Sequence, residues 1–340
     1  MLPCKRIANP KRPALQRTAM ALLIAAMLTL GMSDLPRTIQ AGAVVVLEVR
    51  GVIDPVIAQY VERGIHAAGQ SGANLVIIQL DTPGGLDTAM RRIVQAILNS
   101  DVPVVVFVAP PGARAASAGL FITLAAHVAA MAPGTNIGAA HPVDISQGEI
   151  PSALQDKVTN DAVAYIQAIA QQRGRNAEWA EEAVRKSVSL AAQQAQERGV
   201  IDLLARDLND LLKQLDGREV AMNDERVTLQ LEATPIERYP MTWLEVILHG
   251  IVDPNIAYVL LSLGTIALIA EFYNPGSLLP GVTGIISLIL AFVALGSLPV
   301  NWGGIALIVL AFIFFIADVK VSGIALSVAG VISFVLGSLL

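Results

Sequence analysis

The stretch "PPGARAASAGL" sets one serine, Ser117, among residues with almost no side chain. A serine at the start of a helix commonly caps it, its hydroxyl accepting a hydrogen bond from a backbone N–H. It can also be an acyl-transfer nucleophile, in which case Ala115, Ala116, Ala118 and Gly119 leave space for a substrate carbonyl to approach. A nucleophile needs donors for the oxyanion it creates, and "DTPGG" (81–85) is the candidate. A proline followed by two glycines can turn backbone N–H groups outward, and the positive end of a helix dipole after Ser117 would add to them. A tight strand-to-helix turn would account for the same glycines.

The serine also needs a base, and two residues compete. His141 lies in "GAAHPVD", where Asp144 could orient it to complete a Ser-His-Asp arrangement. Lys157 lies in "LQDKVTNDAVAYI", flanking a helical stripe of Leu154, Val158, Asp161 and Tyr165. A lysine accepts a proton only in its neutral form. Burial beside apolar groups favours that form, and an ion pair with Asp161 would oppose it. Spacing alone leaves both bases open. The four histidines show no metal-ligand spacing, and the single cysteine, Cys4, falls in the N-terminal leader.

The elements that must position these residues alternate between short β-branched runs and longer helical stripes. Strands are expected at 43–49, 75–80 and 102–109, each followed by a helical pattern, the first carrying Val56, Ile57, Tyr60, Val61 and Ile65. Such a βαβαβα rhythm implies a parallel sheet covered by helices, with ligands bound beyond the carboxyl ends of the strands. "DTPGG" and "PPGARAASAG" both lie at those ends. Helices follow at about 152–173 and 177–187, then "LAAQQAQERGVID" with Gly199 as its cap. Next come an amphipathic stretch with Leu203, Leu204, Leu208, Leu211, Leu212 and Leu215 on one side, and a hairpin turning at Asn223-Asp224. "EATPIERYP" reads as a linker.

Composition divides the 340 residues sharply. From Val44 to Met241 there are 16 basic against 23 acidic residues, a net charge of −7 and a poor match for nucleic acid. From Thr242 onward the only charged residues are Glu245, Asp253, Glu271, Asp318 and Lys320. Four membrane spans are expected there: Ile256–Tyr273, Val282–Leu298, Gly303–Ala317 and Val321–Leu340. "WLEVILHGIV" before them is a possible interfacial or re-entrant segment. At the other end, Lys5, Arg6, Lys11, Arg12 and Arg17 precede the apolar "AMALLIAAML", the layout of a signal peptide or an uncleaved anchor, so the next domain is expected to be exported.

"LDTPGGLDTAMRRIVQAI", "PPGARAASAGLFITLAAHVAAMAPGTNIGAAHPV" and "DKVTNDAVAYI" resemble the membrane-bound ClpP-class serine proteases of the NfeD family, the stomatin operon partner proteins. The membrane stretch from "EFYNPGSLLPGV" to "FIADV" is similar as well. The resemblance covers about residues 43–340. It implies a Ser-Lys dyad with Ser117 as nucleophile and Lys157 as base, His141 remaining the alternative. It also implies an oxyanion hole from the N–H groups of Gly85 and Ala118 beside Gly84, no cofactor, homo-oligomers, and a stomatin- or prohibitin-like membrane partner. Long family members carry an OB-type β-barrel after the last membrane helix, whereas the sequence here ends at "FVLGSLL", so no function resting on that barrel is carried over.

The expected fold class is therefore α/β, a ClpP/crotonase-like protease domain with a parallel sheet followed by an all-α membrane region. The expected divisions are a leader at 1–43, the protease domain at 44–235, a linker or interfacial segment at 236–255 and the membrane region at 256–340. The expected activity is endopeptidase cleavage of apolar segments at the lipid bilayer, on its extracytoplasmic side. The alternatives are a non-proteolytic scaffold for stomatin-like proteins and an SppA-type signal peptide peptidase, the latter disfavoured by several C-terminal spans.

Overall fold

The computed structural model describes residues 39–142, 152–222, 225–251, 254–273, 278–295 and 324–339, with 307, 310, 311 and 314. The leader before residue 39, Asp144, the hairpin turn at Asn223-Asp224 and most of the expected span Gly303–Ala317 lie outside these residues.

The first strand β1 (Val44–Arg50) leads into α1 (Pro55–Ser71). Asp54 caps α1 by accepting from the Ile57 N–H, Pro55 occupies its first turn, and Gly72 closes it in the left-handed conformation at φ 68°. β2 (Leu75–Asp81), α2 (Asp87–Leu98) and β3 (Val104–Val108) follow. A short β4 (Arg114–Ala116) precedes α3 (Ala118–Ala125), then come β5 (Val128–Met131) and β6 (Asn136–Gly138). Helices α4 (Ser152–Gln172) and α5 (Ala177–Arg185) lead to β7 (Ser189–Ala191) and the short α6 (Ala192–Glu197), after which Gly199 turns the chain at φ 66°. The domain closes with β8 (Leu203–Leu204), α7 (Leu208–Leu215), the hairpin β9 (Glu219–Met222) and β10 (Glu225–Thr228), and β11 (Ile236–Arg238).

The main sheet has the order β11-β1-β2-β3-β5-β8, every neighbouring pair parallel. Strand alternation sends Leu47, Ile78, Leu80 and Val106 to one face, under α1, α2 and α3. It sends Val46, Leu75, Ile77 and Phe107 to the other, under Leu211 and Leu215 of α7 and Val220 of the hairpin. Both faces are thus buried, which is why these strands read as unbroken apolar runs rather than alternating ones. A second sheet, β4-β6-β7, stands beside the carboxyl ends of the first.

Two expectations change. The segment read as a linker supplies β11, which pairs with β1 (Val44 with Ile236) at the sheet edge. Isolated from that partner, three residues carry no strand signal. The stretch "LAAQQAQERGVID" is not helical from its first residue either, because Leu190 and Ala191 belong to β7 and pair with β6, and the helix begins at Ala192.

Beyond β11, α8 (Trp243–Ile251) packs on α1, and α9 (Pro254–Tyr273) and α10 (Leu278–Leu295) pack together. They run antiparallel through small residues: an added Cβ on Gly264 would lie 2.8 Å from Leu288 Cγ, and one on Gly284 would lie 3.1 Å from the Gly264 carbonyl. Among the described residues one helix, Ile256–Tyr273, is long and apolar enough to cross a membrane. Leu279–Phe292 and Val328–Gly337, within α10 and α11 (Ile324–Leu339), are shorter apolar helices, so four spans are not established.

Candidate active site

Ser117 stands at the turn from β4 into α3, at φ 50° and ψ −115°. A residue with a Cβ occupies this region only when its surroundings hold it there, at a cost of order 1–3 kcal/mol. The holding is visible. Ser117 N–H donates to the Gly138 carbonyl (3.0 Å) in "GTNIG", and β4 is locked on its other side by Thr82 N–H to Arg114 O (2.8 Å) and Ala116 N–H to Thr82 O (3.2 Å). The Ser117 hydroxyl makes no cap bond to α3. The capping explanation for this serine therefore fails, and its side chain is left for other work.

The "DTPGG" loop lies directly against it. A Cβ on Gly84 would fall 2.7 Å from Ser117 Cβ and 3.1 Å from its Oγ, and Gly84 has φ 124°. Thr82, fully buried, ties this turn by accepting from Gly84 N–H (3.0 Å). Its methyl also occupies the place a Cβ on Gly119 would need, at 2.7 Å. The small residues around Ser117 thus let loop and helix touch. On the far side, Ile53 N–H donates to Gly84 O and Leu86 N–H to Ile53 O, both at 2.8 Å. Neither the Gly85 nor the Ala118 N–H donates to a protein acceptor among the described residues. Ala118 opens α3, so its N–H belongs to the positive end of the helix dipole.

The other end of α3 is closed by cations. Arg175 Nη1 donates to the carbonyls of Leu124 (2.6 Å) and Ala126 (2.8 Å), and Arg173 Nε to that of Ala125 (2.8 Å). Arg175 is buried and pairs with Asp202 at 2.5 Å. His127 Nδ1 accepts from Val104 N–H, which leaves the ring proton on Nε2, 3.3 Å from Arg173. Burial, with Arg173 and Arg175 adding to it, pulls the His127 pKa down to about 3. Burial and the Arg175 charge lower that of Arg173 to about 10.

The two candidate bases fare differently. His141 Nδ1 donates to the Val184 carbonyl of α5 (2.9 Å), which ties the ring to that helix. Lys157 lies near the start of α4, exposed, with no hydrogen bond or ion pair among the described residues. The apolar cover expected for it is missing in the single chain: Leu154 and Val158 are about half exposed (50% and 48%). The first turns of α4 run past the core, and burial begins only at Thr159, Ala162 and Val163. Asp161 does not pair with Lys157. It pairs with Arg91 at 2.5 Å, which also bonds Asp87 and lies 4.4 Å over the Tyr165 ring.

Ser117, Gly84, Gly85 and Ala118 are therefore brought together, whereas Lys157 makes no hydrogen bond to Ser117. Reading the sequence missed Thr82 and Ile53, which shape the glycine turn, and Arg91, which takes Asp161. Thr82 alone left a trace, as a β-branched residue ahead of Pro83. No group of three or more His, Cys, Asp or Glu among the described residues could hold a metal ion. A groove of about 730 Å³ between α1 and α2, lined by Glu62, His66, Arg92 and Asp101 among others, contains none of these site residues.

Known proteins resemble this chain in sequence and fold. The model of the NfeD1b N-terminal domain matches residues 43–226, and that of the NfeD integral membrane domain matches 255–340. The chain is 42% identical over 301 residues to the membrane-bound protease PH1510 of Pyrococcus horikoshii, covering 87% of this chain and 68% of that protein. It is 28% identical over 255 residues to the membrane protein NfeD1b of Bacillus subtilis, covering 71% of this chain and 54% of that protein. Among solved structures it resembles 1510-N, a membrane protease specific for a stomatin homolog from Pyrococcus horikoshii, with TM-score 0.55 and 39% identity over 62% of this chain and 99% of the other. A lysine-to-alanine variant of 1510-N in complex with a substrate peptide matches with TM-score 0.57 and 40% identity, over 63% of this chain and 99% of the other. The α/β protease fold and the association with a membrane stand on these matches, and the chain belongs to the NfeD family.

Proposed function

We propose that this protein is a membrane-bound serine endopeptidase that cleaves an apolar segment of a stomatin-like membrane partner, with Ser117 as nucleophile and Lys157 as base. The observation that carries this reading is Ser117 itself. It is held at φ 50° with its hydroxyl uncommitted, a glycine turn against it and an unengaged N–H on the next residue. In the first step neutral Lys157 takes the hydroxyl proton as Ser117 Oγ attacks the substrate carbonyl. The Gly85 and Ala118 N–H groups receive the resulting oxyanion, and such donors are worth about 10²–10³ in rate each. The lysine then returns the proton to the leaving amine, and water hydrolyses the acyl-enzyme by the reverse proton path.

The exposure of Lys157 gives the substrate a part in this chemistry. An apolar segment lying over Leu154 and Val158 would remove water from the amine between them and favour its neutral form. Asp161, occupied by Arg91, does not oppose this. The same cover could come from a second copy in a homo-oligomer. The protease domain is read as extracytoplasmic and the membrane region as multi-pass, on the N-terminal leader and the apolar C-terminal third.

The test compares Ser117→Ala, Lys157→Ala and His141→Ala, purified in a lipid environment, on an apolar peptide from the C-terminal region of a stomatin-like protein. Cleavage lost in the first two and retained in the third is expected. Full activity in Lys157→Ala with none in His141→Ala would replace the dyad by a triad. A folded wild type that neither cleaves the peptide nor forms a Ser117 adduct with a fluorophosphonate would leave a scaffold instead.

A further inference from the structure

The two glycines of the turn beside Ser117 are held from behind by the backbone of Ile53. Its N–H and carbonyl bond Gly84 O and Leu86 N–H. The approach is so close that a Cβ on Gly85 would lie 2.1 Å from Ile53 O. Ile53 belongs to the loop between β1 and α1, and one side chain from 195 residues further along grips both ends of that loop. His249, on α8, donates from Nδ1 to Asp54 Oδ2 at 2.7 Å, and its Nε2 lies 3.3 Å from the Arg50 carbonyl. Asp54 is buried, and its other oxygen caps α1. Gly51, at φ 90°, lies against the ring, where an added Cβ would stand 3.4 Å from Nε2, an ordinary contact.

α8 is itself fastened to the domain. Glu245 accepts from Arg63 Nε (3.1 Å) and Nη2 (2.6 Å), and Arg63 also donates to the Tyr239 hydroxyl. Glu245 and His249 are four residues apart and share the face of α8 turned to the domain. The other faces expose Trp243, Leu244, Val246 and Ile247, and the next element is α9, which carries the apolar span.

We infer that His249 is a positioning residue for the oxyanion hole. From the helix that joins the domain to the membrane, it clasps the Arg50–Asp54 loop and so sets the place of the Gly85 N–H relative to Ser117. The inference rests on the peptidase reading for its effect on rate, but the clasp itself is a structural claim that can be tested without catalysis. An oxyanion donor acts at about 2.7–3.1 Å. A displacement near 1 Å costs on the order of 10²-fold in rate.

The experiment uses the full chain in nanodiscs, as wild type, His249→Ala, His249→Asn and His249→Gln. Asparagine keeps a donor where Nδ1 was, whereas glutamine keeps one nearer the Arg50 end. Hydrogen exchange at the Leu86 amide, which donates to Ile53, reports that contact directly. Exchange at Leu86 is expected to quicken at least tenfold in His249→Ala, stay near wild type in His249→Asn, and not change at Leu120 of α3. On the apolar peptide, kcat is expected to fall 10- to 100-fold in His249→Ala with KM within twofold, and to recover in His249→Asn. Unchanged exchange at Leu86 in His249→Ala overturns the clasp whatever the activity. A quickened Leu86 with wild-type kcat, or a loss that asparagine does not restore, overturns the positioning role. If His249→Ala does not fold, His249→Gln against wild type carries the same comparison. A wild type that does not cleave removes the peptidase reading, and the exchange result still decides the clasp.

Discussion

Replacing Gly84 by alanine isolates the contact on which the site depends. The new methyl would sit 2.7 Å from Ser117 Cβ and 3.1 Å from Oγ, where apolar carbons normally keep about 3.5–4.0 Å. Loop and serine must separate by roughly 1 Å, since Ile53 blocks retreat behind the loop and Thr82 anchors it from within. A misplacement of that size costs about 10²-fold in rate, near 2.7 kcal/mol of barrier. The backbone adds its own penalty, because Gly84 has φ 124°, where a side chain costs about 1–3 kcal/mol. Gly112→Ala separates the two effects. Gly112 also has positive φ (91°), but nothing lies within 4 Å of its added Cβ. Both variants should lose a few degrees in Tm, and only Gly84→Ala should lose kcat and fluorophosphonate labelling rate by about a hundredfold. A folded Gly84→Ala with kcat within threefold of Gly112→Ala would refute the claim that this turn and Ser117 form one site.

Three further outcomes follow from the same geometry. His127, held neutral with a folded pKa of about 3 against about 6.5 unfolded, makes the unfolded chain take up the proton first as pH falls. Stability should therefore drop from pH 6.5 downward, by about 2 kcal/mol at pH 5, and His127→Asn should flatten that part of the denaturation profile. Arg175→Met would leave Asp202 and the Leu124 and Ala126 carbonyls without their buried partner, and unfolding in denaturant should show a loss of about 3–5 kcal/mol. Asp161→Asn breaks an exposed pair with Arg91, worth under about 1 kcal/mol, and peptide cleavage should change less than threefold. A tenfold change would mean that Asp161 acts on Lys157 after all.

Much of this was legible in the chain because its causes are local. The apolar strands, the helical stripe from Val56 to Ile65 and the small residues around Ser117 announce themselves through side-chain volume, β-branching and spacing within a few positions. So does the glycine pair, although the sequence could not say whether it serves a turn or a site. The leucines of α7 show their buried face by spacing alone, and Leu211 and Leu215 are fully enclosed.

What only the tertiary structure decided are matters between distant residues. That Ser117 leaves α3 uncapped depends on Gly138 holding its backbone, and that Gly85 tolerates no side chain depends on Ile53. Whether Lys157 is dry depends on how far α4 overruns the core, and the partner of Asp161 turned out to sit on α2. β11 became a strand only by meeting β1, and His249 gained its place only by meeting Asp54. A sequence states the preferences of neighbours along the chain. The energies that settle these contacts arise between segments tens to hundreds of residues apart, and exist only once the sheet has brought them together.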